Sequence, residues 1–375
     1  MRYRRFGKTN LDFSVFSLGT MRYLASSENA YLTIKKAISL GINHIETAQG
    51  YGESESFLGA AILGGLSIER SQFYITTKIT PDSNPDVLEK KIDQSLKRLN
   101  LDYLDCLAIH GINTREHLEQ TLQGLSGVEK AIADGRVHHL GFSTHAPLEV
   151  ILSAIQTDLF QFVNLHYYYF FQKNAIAIEL AAQKDMGIFI ISPADKGGQL
   201  YSPPETLKNL CDPISPLILN YRFLLNDSRI TTLSVGATTP EELELDHPLK
   251  VADQEIELTP EEIAIFQQLE TQKIERLGIT KCSQCDQCLP CPEQINIPEV
   301  LRLRNLALAY DMIEFGKYRY QMFENAGHWF PGNKANRCND CGDCLPRCPE
   351  QLDIPTLLKQ THELLKGTER KRLWE

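Results

Sequence analysis

Long apolar runs are missing from this chain. Nowhere do about 18 apolar residues follow one another, the length a membrane-spanning helix needs, so no membrane span is expected. Met1-Arg2-Tyr3-Arg4-Arg5-Phe6 has no apolar stretch of the kind a secretory signal carries, and the default expectation is a cytoplasmic location. Low-complexity tracts are absent too. Of the 375 residues 42% are hydrophobic, enough to bury one large domain and a small one. Basic excess is also lacking: Lys and Arg total 38 against 48 Asp and Glu, a formal charge of −10. That balance excludes a basic nucleic-acid footprint. The stretch Lys366 to Arg372 is basic; at a chain end it reads as a solvated tail or as a site steering an acidic redox partner.

Cysteine is scarce before residue 282, where only Cys106 and Cys211 occur, and both read as inert thiols. The other eight stand in two runs, Cys282-x2-Cys285-x2-Cys288-x2-Cys291-Pro292 and Cys338-x2-Cys341-x2-Cys344-x3-Cys348-Pro349. In a reducing compartment such runs mean metal or catalysis rather than disulfides. Three cysteines spaced by two residues wrap one iron–sulfur cubane, and the fourth, before proline, turns away to the neighbouring cluster. Two [4Fe–4S] clusters are therefore expected, with Cys282, Cys285, Cys288 and Cys348 on one and Cys338, Cys341, Cys344 and Cys291 on the other. Structural zinc is the alternative, since Cys-x2-Cys pairs also build tetrahedral sites. Zinc ribbons, however, supply two cysteines per run, whereas each run here supplies four. The first run has two residues rather than three before its last cysteine, which leaves the pairing more open than the clusters.

From Phe16 to about Ala237, short β-branched apolar runs alternate with longer amphipathic segments, the signature of βα units and a parallel sheet. Strands are expected at Phe16–Thr20, His44–Thr47, Phe73–Lys78, Tyr103–Ile109, Val137–Ser143, Phe160–Leu165, Gly187–Ser192 and Thr232–Gly236. Eight such strands make an α/β fold of the (β/α)8 TIM-barrel class. Helices are expected at Asn29–Leu40, Pro85–Leu99, Leu118–Asp134 and Asn174–Lys184, where apolar residues recur at three- and four-residue spacing. Arg2–Phe6 and Leu11–Val15 read as a hairpin closing the barrel floor. A helix opening at Thr259-Pro260-Glu261-Glu262, with threonine as cap and proline in the first turn, begins the second part. The expected division is a barrel over 1–258 and a helical ferredoxin-like two-cluster domain over 259–375.

In such barrels the reactive groups gather at the C-terminal ends of the strands. Glu46 ends the second expected strand, Lys78 the third and His110 the fourth, and Tyr51 lies on the loop just beyond Glu46. A buried lysine beside a phenol favours the phenolate, which would lower the proton affinity of Tyr51, and a carboxylate holds that lysine charged. Tyr51 is then placed to give a proton to a carbonyl oxygen, with His110 orienting that carbonyl or sharing the proton. Any one of these residues alone would read as a salt-bridged surface group. Their order on consecutive strands is what points to catalysis. The run His166-Tyr167-Tyr168-Tyr169-Phe170-Phe171 reads as a loop walling a substrate pocket or packing on the second domain. Asp195-Lys196-Gly197-Gly198 reads as an anion-binding loop or an ordinary turn.

Over roughly residues 1 to 250 the chain resembles an aldo-keto reductase, on Gly41-Ile42-Asn43-His44-Ile45-Glu46-Thr47-Ala48 with Tyr51-Gly52, Thr77-Lys78, and Asp102-Tyr103-Leu104-Asp105 leading to His110-Gly111. With the cysteine runs, the whole resembles the iron–sulfur branch of that family. The resemblance implies carbonyl reduction with a nicotinamide cofactor, by a tetrad to which Tyr51, Lys78 and His110 correspond. Glu46 stands where the family usually has aspartate. For the cofactor it implies Gly19, Thr20 and Met21 after the first strand, Ser143 and Thr144 against the carboxamide, Asn164 at the usual glutamine, then Ser192, Gly236 and Thr238. Ile191 replaces an aromatic on which the nicotinamide commonly stacks. The loop Gly236-Ala237-Thr238-Thr239-Pro240-Glu241-Glu242 has no lysine or arginine to grip a 2′-phosphate, and its two carboxylates would repel one. Within NAD(P)H, NADH is favoured.

Three functions are open. The first is an oxidoreductase interconverting a small carbonyl and its alcohol through Tyr51, with the clusters as a redox module. In the second, the clusters exchange single electrons with a ferredoxin-like partner, which would need a converter such as a flavin, because nicotinamides move two electrons and cubanes one. In the third, the clusters are structural and the barrel works alone.

Overall fold

A computed structural model of the chain describes residues 1–22, 26–66, 68–243, 251–254 and 257–367. The basic stretch around Arg370-Lys371-Arg372 lies outside the described residues. The chain runs through β1 (Tyr3–Arg5), β2 (Asp12–Ser14), β3 (Phe16–Gly19), α1 (Ser27–Ser39), β4 (His44–Glu46), α2 (Ser54–Leu63), β5 (Tyr74–Ile79), α3 (Pro85–Leu99), β6 (Leu104–His110), α4 (Arg115–Ala133), β7 (Val137–Ser143), α5 (Leu148–Gln156), β8 (Phe162–Leu165), α6 (Ala175–Gln183), β9 (Gly187–Ile190), α7 (Glu205–Cys211), α8 (Pro216–Asn226) and β10 (Thr232–Gly236). Then come α9 (Pro260–Leu277), α10 (Ile297–Tyr310), α11 (Ile313–Tyr320) and α12 (Ile354–Leu365).

The strands β3 to β10 close into one parallel barrel, β10 pairing with β3. The sequence explains both faces. Parallel strands buried on both sides read as near-continuous apolar runs, as Phe162–Leu165 and Gly187–Ile190 do. Several helices start where the sequence supplies a cap. Asn84 Oδ1 accepts from Asp86 N at 2.9 Å, Pro85 opens α3, and Leu88, Ile92, Leu96 and Leu99 turn inward. The seventh barrel strand was expected to reach Ser192 but stops at Ile190, because Ser192 takes a left-handed φ of 53° that leaves the extended ladder. The hairpin of β1 and β2 pairs Tyr3 with Ser14 and Arg5 with Asp12. Phe6 and Phe13 stack at 4.4 Å and join Phe162, Phe189, Cys106 and Ala108 in an apolar floor.

Above that floor lies a polar layer. His44 Nδ1 meets Ser17 Oγ at 2.6 Å and its Nε2 meets Thr76 Oγ1 at 2.8 Å, while Ser17 Oγ also meets Thr232 Oγ1 at 2.7 Å. Burial first, and the Lys78 charge second, push the His44 imidazole down to about 3.

Contacts divide the chain into two compact units, Met1–Gly197 with Asn220–Glu257, and Gly198–Leu219 with Leu258–Glu375. The second unit thus includes Gly198–Leu219, a segment that the alternation of strands and helices gives no reason to set apart. Within it, Thr259 and Glu262 form a reciprocal capping box at the start of α9, with Thr259 N donating to Glu262 Oε2 at 2.7 Å and Glu262 N to Thr259 Oγ1 at 3.1 Å. Helix α10 is buried on almost every face and packs against α9, α11 and α12. Among the described residues no helix is long and apolar enough to cross a membrane.

Candidate active site and candidate iron–sulfur sites

At the C-terminal ends of the barrel strands, Gly236, Gly19 and Glu46 pair across β10, β3 and β4, and His110, Ser143 and Asn164 across β6, β7 and β8. Lys78 reaches inward from β5. Its Nζ lies 3.1 Å from Glu46 Oε1, with the two side chains 2% and 4% exposed. The ammonium also donates to Thr47 O at 2.8 Å and to Tyr51 Oη at 3.3 Å. The longer Glu46 side chain therefore still meets its lysine. Its Oε1 accepts a second bond, from Asn164 Nδ2 across the barrel. The ring of His110 meets that of Tyr51 edge-on, centroids 5.5 Å apart.

Electrostatics follow from depth. Burial raises Glu46 above the ordinary carboxylate range, with Lys78 and Asn164 working against it. Burial presses Lys78 toward neutrality, but Glu46 and Tyr51 outweigh it and the net shift is upward, so the lysine stays charged. Tyr51 departs from the sequence expectation. Its proton affinity is raised, because burial outweighs the opposing Lys78 charge and Glu46 adds to the rise. A lysine in hydrogen-bond reach was too small a lever against removal of the phenolate from water.

Other expected residues divide. Thr20 Oγ1 donates to Glu46 O at 3.0 Å and accepts from Ser54 Oγ at 2.5 Å. Thr144 Oγ1 donates to Ile112 O and accepts from Ala146 N, so its hydroxyl serves the loop itself. Ser143 Oγ accepts from Gly111 N at 3.1 Å. Met21 lies just beyond β3, half-buried, and Ile191 and Ser192 are half-buried after β9. Thr238 N donates to Glu242 Oε2 at 2.9 Å, and Arg22 lies 3.5 Å from the same oxygen. Asn164 is the informative one: its Oδ1 is buried and, among the described residues, has no hydrogen-bond partner. A buried carbonyl oxygen left unpaired is costly, and an amide N–H2 such as that of a nicotinamide carboxamide would satisfy it. The site fits that group. In the aromatic run, Tyr168 Oη donates to Ile191 O at 2.5 Å, and Tyr167 stacks on Phe223.

The cysteines bound two cavities. One, of about 300 Å3 counting space open to solvent, is lined by Cys282, Cys285, Cys288 and Cys348. The other, of about 320 Å3 on the same measure, is lined by Cys291, Cys338, Cys341 and Cys344. The missing residue in the first run does not keep Cys291 from the second cavity. Among the described residues no three His, Cys, Asp or Glu side chains are set to hold a single ion. Four cysteines that line each cavity without converging on one point suit a cubane better than one tetrahedral zinc at about 2.3 Å per sulfur. Burial pushes Cys288 up to about 12 and raises Cys282 and Cys344. Bare thiols would thus stay protonated, and iron would displace those protons on binding.

A signal overlooked in the sequence underlies this arrangement. Residues Cys291-Pro292-Glu293-Gln294 to Asn296-Ile297-Pro298 recur 57 positions later as Cys348-Pro349-Glu350-Gln351 to Asp353-Ile354-Pro355. The backbone repeats with them. Gln284 and Asp340, Asp286 and Gly342, and Gln294 and Gln351 all take left-handed φ, between 52° and 80°. Asn296 and Asp353 each cap the helix that follows, α10 and α12. The turns wrap the loop around its cavity, and Gln284 N lies 3.4 Å from Cys282 Sγ.

Comparison with known proteins agrees with both halves. The profile described as the Aldo/keto reductase family matches residues 16–271, and that described as a 4Fe-4S dicluster domain matches residues 281–352. An L-glyceraldehyde 3-phosphate reductase of Escherichia coli is 28% identical over 163 residues, 39% of this chain and 46% of that protein. An L-galactose dehydrogenase of Arabidopsis thaliana is 27% identical over 220 residues, 54% of this chain and 68% of that one. The chain thus spans just under half of one of these curated relatives and about two thirds of the other. An aldo-keto reductase structure from Bacillus halodurans, in its holo form, shares the fold with a TM-score of 0.62 at 20% identity, over 71% of this chain and 95% of that one.

Proposed function

Since the chain belongs to the aldo/keto reductase family and carries a 4Fe-4S dicluster domain after the barrel sequence, we propose that it interconverts a small carbonyl and its alcohol at Tyr51, with a nicotinamide in the barrel and two [4Fe–4S] clusters in the second unit. The observation that carries this reading is the buried chain from Glu46 through Lys78 to Tyr51. The nicotinamide, when bound, supplies or takes the hydride. Asn164, Ser143 and the turn at Gly19 would hold it.

The rest falls to the chain's own residues. Glu46 and Thr47 O occupy two of the lysine's protons, and a third points at Tyr51 Oη. Because the ammonium donates there, the phenol's own proton is directed elsewhere, toward a carbonyl oxygen in the barrel mouth. Its raised affinity keeps that proton in place at neutral pH. As the oxygen gains charge the phenol gives the proton up, and the phenolate left behind is stabilised by Lys78. His110 offers a second polar contact to the carbonyl.

NADH is the preferred donor in this reading. Glu242 takes the Thr238 N–H at 2.9 Å and lies 3.5 Å from Arg22, so a carboxylate already occupies the donors this loop offers to a 2′-phosphate. The clusters are assigned to Cys282, Cys285, Cys288 and Cys348, and to Cys338, Cys341, Cys344 and Cys291, four sulfurs around each cavity. Tyr51→Phe is the test. Carbonyl reduction with NADH should fall by about 100-fold or more while the visible cluster absorption stays. Retained turnover would remove Tyr51 from the role of acid.

A further inference from the structure

Tyr51 is carried by a loop with little stiffness of its own. Gly50 and Gly52 flank it, Gly52 at a left-handed φ of 56°, and glycine loses more conformational freedom on ordering than any other residue. The contact this loop must deliver has no slack. Tyr51 Oη lies 3.3 Å from Lys78 Nζ, already past the usual length of a hydrogen bond between nitrogen and oxygen. Before Tyr51 the loop is held to β5 by backbone bonds, Thr47 N donating to Thr76 O at 2.8 Å and Gln49 N to Lys78 O at 2.9 Å. After Tyr51 the hold comes from α2, where Ser54 reaches toward β3 and β4, and Glu55 accepts from Thr77 Oγ1 of β5 at 2.6 Å.

Side chains close the two ends of the loop on each other. Thr47, which opens it after β4, and Ser54, the first residue of α2, bring their hydroxyls to 2.9 Å. Ser54 Oγ also donates to Thr20 Oγ1 at 2.5 Å, and Thr20 Oγ1 to Glu46 O at 3.0 Å. Each hydroxyl has a single proton to give. Glu46 O only accepts, so Thr20 spends its proton there and Ser54 spends its own on Thr20. The bond between Thr47 and Ser54 therefore runs from Thr47 to Ser54. Three hydroxyls thus form one chain with one direction, from Thr47 through Ser54 and Thr20 to the Glu46 carbonyl. All three residues are 0–1% exposed, so bulk water cannot stand in for a lost member.

We propose that Ser54 is a positioning residue for the reaction, its hydroxyl closing the Tyr51 loop so that the phenol stays within reach of Lys78. This rests on the reading of Tyr51 as the proton donor. The chain ends on the groups that hold the lysine: Glu46 Oε1 and Thr47 O are two of the three acceptors of its ammonium, and Tyr51 is the third. Ser54 itself meets Tyr51 only through the backbone, Ser54 N donating to Tyr51 O at 3.1 Å. Without Ser54 Oγ, Thr47 loses its acceptor and Thr20 its donor, and both are left with unmade hydrogen bonds in a buried place. The loop then loosens at its closure. The contact between Tyr51 and Lys78 fails first, because it is the longest of the lysine's three.

The test is steady-state reduction of benzaldehyde by NADH, together with amide hydrogen exchange over residues 48–53, on the full-length holoprotein and its variants. Ser54→Ala, and Thr47→Val, which removes the hydroxyl but keeps the shape, should each lower kcat by about 10-fold or more with KM for NADH near the wild-type value, since a misplaced acid is felt in the transition state. Thr47→Ser, which keeps the hydroxyl, should hold kcat within about threefold of wild type. Exchange should quicken in the first two variants and not in the third. An unchanged kcat in Ser54→Ala, or equal losses in Thr47→Val and Thr47→Ser, would overturn the proposal. Should Ser54→Ala fail to fold, the two Thr47 variants decide the matter on the same terms. Tyr51→Phe keeps this proposal apart from the reading beneath it. A Tyr51→Phe variant as active as wild type sinks the role of Tyr51 and the proposal with it, whereas an inactive Tyr51→Phe beside unaltered turnover and exchange in Ser54→Ala sinks only the role of Ser54.

Discussion

Held between the hydroxyls of Ser17 and Thr76, the His44 imidazole has its pKa pushed down to about 3. An unfolded histidine titrates near 6.5. Between those values the unfolded chain binds a proton that the folded barrel refuses, so stability rises with pH over that window and falls on acidification. From pH 7 to pH 5 this single residue should cost the wild type about 2 kcal/mol. Glu46, raised by burial, works in the opposite direction. The comparison to make is therefore wild type against His44→Gln in urea unfolding at both pH values, where Glu46 largely cancels. The variant should lack the extra loss; an equal loss in both would mean that His44 is protonated in the folded barrel. Residue types and order made the Glu46, Tyr51, Lys78 and His110 set visible in the sequence. The sign of the Tyr51 shift was not, because it depends on burial, which no local pattern states.

Elements meet where glycine lets them. An added Cβ at Gly127 of α4 would lie 2.1 Å from Pro85 O of α3, a backbone atom that no rotamer change can move aside. Gly127→Ala should therefore push the two helices apart and cost about 1–3 kcal/mol, lowering the melting temperature by several degrees. A stability equal to the wild type would mean that α3 and α4 are less tightly placed than described. Helix starts were readable in advance from Asn84-Pro85 and Thr259-Pro260, since a cap and a proline act within one turn. The end of β9 was not, because the left-handed Ser192 is not a residue type that announces such a φ. Nor did spacing alone assign Cys291 to the second cavity across a shortened loop.

At the scale of the whole molecule, the barrel closes around its own core and the cysteine module forms part of a separate compact unit. Replacing Cys285 and Cys341 together by serine removes one ligand from each proposed cluster. The visible band should then be lost, while carbonyl turnover with NADH at Tyr51 persists within about threefold. A loss of turnover in step with the band would tie the clusters to the chemistry and favour electron transfer over an independent barrel.

What the sequence alone determined is whatever depends on near neighbours along the chain: the alternation that makes a parallel barrel, the helix caps, and the two cysteine runs. Tertiary structure decided what depends on groups far apart in the chain. Glu46 and Asn164 meet across the barrel from 118 positions apart, Cys348 joins Cys282 around one cavity, and Gly198–Leu219 leaves the barrel unit for the second. Burial, and with it the protonation of Tyr51 and His44, is a property of the closed fold, because removal from water is accomplished only by the residues that surround a group from every side.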